Sequence, residues 1–93
     1  RPRVLIIGAS GGVGTFAVQI AKLLSAHVTA VTSTRNLELV TRLGADDVID
    51  YATTEVTAGL PRFDLILELA GNRRVGDLAR ILTPTGALVA CGA

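Results

Sequence analysis

The sequence predicts an α/β fold: a parallel, doubly wound sheet of about five strands in three α/β/α layers. Three observations predict it. Val4-Leu-Ile-Ile7 is an uninterrupted apolar run ending in glycine, as a strand buried on both faces requires. Strand-like and helix-like patterns then alternate along the chain, which calls for right-handed crossovers and parallel pairing. At 93 residues, 49% hydrophobic but only 3% aromatic, the chain can build one core, and that core must be aliphatic.

Each element follows in order. Val13, Phe16, Ala17, Ile20 and Leu24 recur at helical spacing, with Thr15, Gln19 and Lys22 opposite them. Residues 13–24 therefore read as a helix with the first set turned to the sheet. Residues 28–32 are β-branched and form the second strand; residues 37–43 form a short helix stopped by Gly44. Asp47-Val-Ile-Asp50 is a brief third strand, and the weakly patterned 52–62 has room for one helical turn before Gly59 and Pro61. Residues 63–69 read as strand four, and 75–82 as a helix with Val75, Leu78, Ala79 and Leu82 inward. Residues 83–86 read as a turn, and 87–91 as strand five. The expected strand order is 3-2-1-4-5, with the ligand crevice where the order reverses between strands 1 and 4. Core strands lie flush with both ends, so the chain is expected to be a dinucleotide-binding module (1–93) of a longer polypeptide, its sixth strand beyond Ala93.

Composition narrows the partners. Nine basic and eight acidic residues are scattered singly, with no basic stripe or aromatic platform for nucleic acid. No apolar run is long enough for a membrane span, and no signal peptide is visible. The single cysteine, Cys91, excludes an internal disulfide and a cysteine-built zinc site. A cytoplasmic location is expected. Asp46, Asp47 and Asp50 form no metal set and read as solvated charges, and His27 reads as structural.

The loop Gly8-Ala-Ser-Gly11-Gly12-Val-Gly14 fits three glycine patterns. They are G-x-x-G-x-x-G on Gly8, Gly11 and Gly14, G-x-x-x-G-x-G on Gly8, Gly12 and Gly14, and A-x-G-x-x-G on Ala9, Gly11 and Gly14. A glycine turn between a buried strand and a helix lets a ligand approach the backbone and aims free helix N–H groups at it, which suits a pyrophosphate. Gly12 and Val13 would supply those N–H groups, Ser10 a hydroxyl, and Gly14 room for tight helix–strand packing. The simpler reading makes the glycines a tight turn only. About 20 residues on, an acid would grip the ribose of NAD; here stands Thr32-Ser-Thr-Arg-Asn36, with none. Hydroxyls and a guanidinium suit a 2′-phosphate, so NADP(H) is expected over NAD(H). Alternatively, Ser33 or Thr34 caps the next helix and Arg35 is a solvated charge. Glu68 reads as a hydrogen-bonded strand-end carboxylate or as a group positioning a ribose.

With Leu43-Gly-Ala-Asp-Asp-Val-Ile-Asp-Tyr51, Phe63-Asp-Leu-Ile-Leu-Glu-Leu-Ala-Gly-Asn72 and Leu82-Thr-Pro-Thr-Gly-Ala-Leu-Val89, the glycine loop resembles the medium-chain dehydrogenase/reductase superfamily. Within it the likeness is to the quinone oxidoreductase branch, and it covers essentially the whole chain. A short-chain dehydrogenase would need Tyr-x-x-x-Lys, but Tyr51 is followed by Glu55 four residues on. An NADP-sensing regulator offers no rival to the Leu43–Tyr51 motif.

The resemblance implies a Rossmann-type domain with a pyrophosphate turn at Ser10, Gly11, Gly12 and Val13. It implies 2′-phosphate contacts at Ser33 and Tyr51, Tyr51 being otherwise a half-buried strand-end residue. Some relatives carry a lysine at Asn36, so Arg35 must supply the cation. Leu69, Ala70 and Gly71 match the turn along the ribose and nicotinamide, and Cys91, Gly92 and Ala93 match the strand end beside the nicotinamide. Cys91 reads as a small buried strand residue, not a nucleophile.

The implied activity is hydride transfer between NADPH and a quinone, enone or carbonyl, with substrate contacts from a domain outside this chain. Zinc is not expected in this segment, a homodimer is, and the 93-residue chain alone is expected to be inactive. The alternative is a non-catalytic NADP(H)-binding sensor or interaction module.

Overall fold

A computed structural model describes residues 1–53, 61–71 and 75–90. It contains β1 (Arg3–Ile7), α1 (Gly12–Leu23), β2 (His27–Thr32), a 3-10 turn (Thr34–Asn36) and α2 (Leu37–Arg42). Next come β3 (Asp47–Asp50), β4 (Phe63–Glu68), α3 (Val75–Ala79) and β5 (Leu82–Ala90). The strands form one parallel sheet in the order β3-β2-β1-β4-β5, as expected.

β1 explains its own sequence. Val4 and Ile6 join one core with Val18 of α1, Val28 and Ala30 of β2 and Val40 of α2. Leu5 and Ile7 turn to the other face, against Val31, Phe63, Ile66 and Leu78. Every position from Val4 to Ile7 is buried, so none can be polar without leaving an unsolvated group.

Two expectations need correction. In α1 most of the predicted inward set is exposed: Val13 and Phe16 are each 69% exposed, and Ile20 and Leu24 are also exposed, while Ala17 does pack against the core. Gly14 and Val18 are the buried positions, flanked by half-buried Ala17 and Ala21. The cause is steric. A Cβ on Gly14 would lie 2.2 Å from the Gly8 carbonyl oxygen and 2.8 Å from Ala9 Cα. The helix therefore seats its smallest residues against the strand and leaves its largest apolar ones outside. Ile20 and Leu24, with Val4, Ala26, Leu65 and Leu67, line an apolar cavity of about 380 Å³ on that side of the sheet.

The second correction concerns 75–91. The helix ends at Ala79, Ala79 is exposed, and Leu82 already belongs to β5; the side chain of Val75 lies outside the described residues. Phe63 pairs with Leu82 and Leu65 with Ala87, so the expected turn at 83–86 is a bulge within the strand. Gly86 allows it, because a Cβ there would meet the Phe63 carbonyl oxygen at 2.9 Å. The helical turn expected between residues 52 and 62 falls mostly on 54–60, outside the described residues.

Candidate functional site

The loops after β1, β2, β3 and β4 all leave the carboxyl edge of the sheet, where the order reverses between β1 and β4. Backbone bonds knit them together. Gly8 and Ala9 N–H donate to the Val31 carbonyl, Leu69 N–H to Ile7, and Tyr51 N–H to Thr32.

The glycines divide by role. Gly8 has φ +88°, and a Cβ there would stand 3.0 Å from the Ala70 nitrogen, so the first loop and the β4 loop touch through it. Gly14 is required by the helix contact described above. Gly12, by contrast, has open space where a Cβ would go, and Gly11 meets nothing nearer than ordinary van der Waals distance. Both are exposed. A tight turn therefore explains Gly8 and Gly14 but not Gly11 and Gly12. Gly11 occupies the N-cap of α1 with no side-chain cap, and the first turn carries no acid. The N–H groups of Gly12, Val13 and Gly14 have no helical carbonyl ahead of them, and the positive helix end is uncompensated by charge.

At the end of β2, Thr32 is buried and its hydroxyl has no partner among the described residues. Ser33 precedes the 3-10 turn but does not cap it through its side chain. Arg35 is exposed and enters no hydrogen bond or ion pair with the described residues. Asp50, at the end of β3, brings an acid to this corner; it accepts hydrogen bonds from the Thr34 hydroxyl and the Ala52 N–H. Tyr51 is 52% exposed beside it, more open than a half-buried strand end.

Asn36 is the residue that sequence reading underrated. Its Nδ2 donates to Ser33 Oγ at 3.0 Å and, at a longer 3.4 Å, to Ser10 Oγ. It joins two predicted contact residues from different loops. The only signal in the sequence was an asparagine three positions after a serine at a helix start.

At the end of β4, Glu68 is 2% exposed. Its Oε1 accepts N–H bonds from Ala70 at 2.7 Å and Gly71 at 2.9 Å, while Oε2 has no partner among the described residues. The carboxylate thus shapes the turn 69–71, in which Gly71 takes φ +75°. Cys91 and Gly92, with Ala93, lie outside the described residues.

The opposite edge of the sheet carries Lys22, Asp46, His27 and Asp47. Asp46 is not a merely solvated charge: Oδ2 accepts from Lys22 Nζ at 2.7 Å and from the Val28 N–H at 2.8 Å. The lysine bond foremost, then the backbone bond, lowers its pKa to about 2. Asp47 bonds His27 Nε2 at 2.6 Å, which gives His27 its structural role.

The zinc-binding dehydrogenase family matches residues 12–93. The chain belongs to that family. The motif resemblance to medium-chain dehydrogenases and their quinone oxidoreductase branch holds accordingly. The chain is 60% identical over 72 residues to a protein of Bos taurus named NAD(P)H oxidoreductase RTN4IP1, mitochondrial, covering 74% of this chain and 18% of that one. It is 55% identical over 58 residues to the chloroplast envelope quinone oxidoreductase homolog of Arabidopsis thaliana, covering 62% and 18%. The solved structure of the quinone oxidoreductase from Coxiella burnetii superposes with a TM-score of 0.82 at 32% identity, over 96% of this chain and 28% of that one. The chain thus spans about a fifth of the length of the curated relatives it matches. Despite the family's name, no group of three His, Cys, Asp or Glu that could hold a metal ion stands among the described residues.

Proposed function

We propose that this chain is the NADP(H)-binding domain of an oxidoreductase that moves hydride between NADPH and a quinone, enone or carbonyl. The carrying observation is the exposed, side-chain-free ridge at Gly11 and Gly12, set on the uncapped start of α1 at the switch point. The residues fit a dinucleotide. Gly11, Gly12 and Val13 would hold the pyrophosphate through backbone N–H groups, with Gly14 keeping the helix close and Ser10 adding its hydroxyl. Ser33 and Arg35, which is unpaired among the described residues, would take the adenosine 2′-phosphate, with Tyr51 beside them. Leu69, Ala70 and Gly71, held by Glu68, would line the path towards the nicotinamide, and Cys91 and Gly92 are proposed next to it.

The nicotinamide, when bound, supplies the hydride chemistry. The protein's share in this segment is to bind and orient. The names of relatives support the substrate class: quinone oxidoreductases and a trans-enoyl reductase of Aspergillus terreus are among them. Substrate contacts and any proton donor are assigned to a further domain.

Dissociation constants for NADPH and NADH on the intact protein test the reading. NADPH should bind more tightly, and Arg35→Ala should weaken NADPH roughly tenfold to a hundredfold while leaving NADH nearly unchanged. Equal or NADH-favoured binding overturns the assignment. The 93-residue chain alone should oxidise no NADPH with quinone acceptors.

A further inference from the structure

The Asn36 amide sits where an N-cap residue stands before α2, yet it makes no capping bond to that helix. With φ −110° and ψ 6° at the end of the 3-10 turn, Asn36 lacks the extended backbone of a capping residue, which leaves its amide free to reach elsewhere. The amide instead turns its Nδ2 to the hydroxyls of Ser33 and Ser10, 3.0 and 3.4 Å away. Those two serines belong to different loops, 23 positions apart by their numbers (33 − 10). The Ser33 bond is local, three positions back, but the Ser10 bond reaches another loop and does nothing for the helix start.

The chemistry of the contact is directional. An amide nitrogen has two hydrogens and only donates, whereas a serine hydroxyl has one hydrogen and two lone pairs. If Asn36 gives one hydrogen to each serine oxygen, each serine keeps its own hydrogen to donate. Neither hydroxyl has another partner among the described residues. The nearby groups already argued to face a ligand, the Gly12 and Val13 N–H and the Arg35 guanidinium, are donors as well.

We propose that Asn36 is a positioning residue that sets the Ser10 and Ser33 hydroxyls as a matched pair of donors, one for the pyrophosphate and one for the 2′-phosphate of the same dinucleotide. The proposal rests on the NADP(H) reading above. It adds that selectivity for the 2′-phosphate depends on a residue that does not itself touch the phosphate. Asn36 links the site shared by both cofactors to the site only NADPH uses.

Replacing the donor by an acceptor of the same shape reverses the pair. In Asn36→Asp the carboxylate can only accept, so both serines must donate inward and turn lone pairs to the phosphates. Binding of NADPH and NADH to the intact wild-type protein, to Asn36→Asp, Asn36→Ala and Ser33→Ala, and to Asn36→Ala/Ser33→Ala would be measured by titration, with thermal unfolding of each variant. Asn36→Asp should lose roughly tenfold or more in NADPH affinity and clearly less for NADH. The loss of NADPH-over-NADH preference caused by Asn36→Ala should shrink towards nothing once Ser33 is alanine, because the Ser10 share falls on both cofactors alike; a purely structural role would not produce this. Should Asn36→Ala not fold, the near-isosteric and uncharged Asn36→Leu takes its place in the cycle with Ser33→Ala. Additive losses in the cycle, or an unchanged ratio in Asn36→Asp, overturn the proposal while leaving the NADP(H) reading intact. A wild-type protein without NADPH preference overturns that reading itself.

Discussion

Gly14 and Gly12 stand two positions apart and carry opposite constraints. A Cβ at Gly14 has nowhere to go, because the Gly8 carbonyl oxygen lies 2.2 Å from its place. Gly14→Ala should therefore destabilise the domain by about 3 kcal/mol, read from the denaturant midpoint. Gly12 faces open space, so Gly12→Ala should change stability by less than about 1 kcal/mol. The same methyl would intrude on a pyrophosphate, and NADPH affinity should fall. Calorimetry on the two variants separates the roles: a Gly12→Ala protein that binds NADPH normally would return this glycine to a turn-maker. The glycine motif was legible because each residue in it is read against its immediate neighbours. Asn36 was not, since its partner Ser10 is 26 positions away and nothing local predicts an amide abandoning its helix.

Among the elements, α1 departs most from its pattern. Counting apolar residues at helical spacing selected Val13, Phe16, Ala17, Ile20 and Leu24 as the inward stripe, yet all but Ala17 are exposed. Periodicity finds that a helix is amphipathic, but close approach selects the face, and glycine and alanine permit the closest approach. Leu23→Ser, at a position 83% exposed, should leave stability within about 0.5 kcal/mol of the wild type. Val18→Ala, fully buried, should cost about 2 kcal/mol. Urea unfolding of both variants checks which side of α1 is buried, and a larger loss for Leu23→Ser than for Val18→Ala would overturn it. In β5 the bulge opposite Asp64 hid behind a Thr-Pro-Thr-Gly run that reads as a turn. The local signal was right about the irregularity and silent about its pairing with β4.

Across the described residues, the proposed cofactor site and the Asp46 cluster occupy opposite edges of the sheet. At the edge away from the glycine loop, Asp46 ties Lys22 at the end of α1 to the start of β2 through the Val28 N–H. Its pKa falls from 3.8 to about 2 on folding, so its contribution is complete above about pH 4 and is lost as pH drops through 2. Asp46→Asn should remove that part of the acid sensitivity, seen as a smaller difference between urea midpoints at pH 5 and pH 2.5. The effect should be modest, because a partly exposed pair is screened by water and salt. The sequence by itself determined the alternation of strands and helices and the strand order, and with it the edge at which the cofactor site is proposed. Those follow from apolar runs, helical spacing and glycine punctuation, all of which act over a few residues. Only the tertiary structure decided which face of α1 turns inward, how 83–86 joins the sheet and that Asn36 spans two loops. Those outcomes depend on how closely distant backbones can approach and on which polar groups meet when they do.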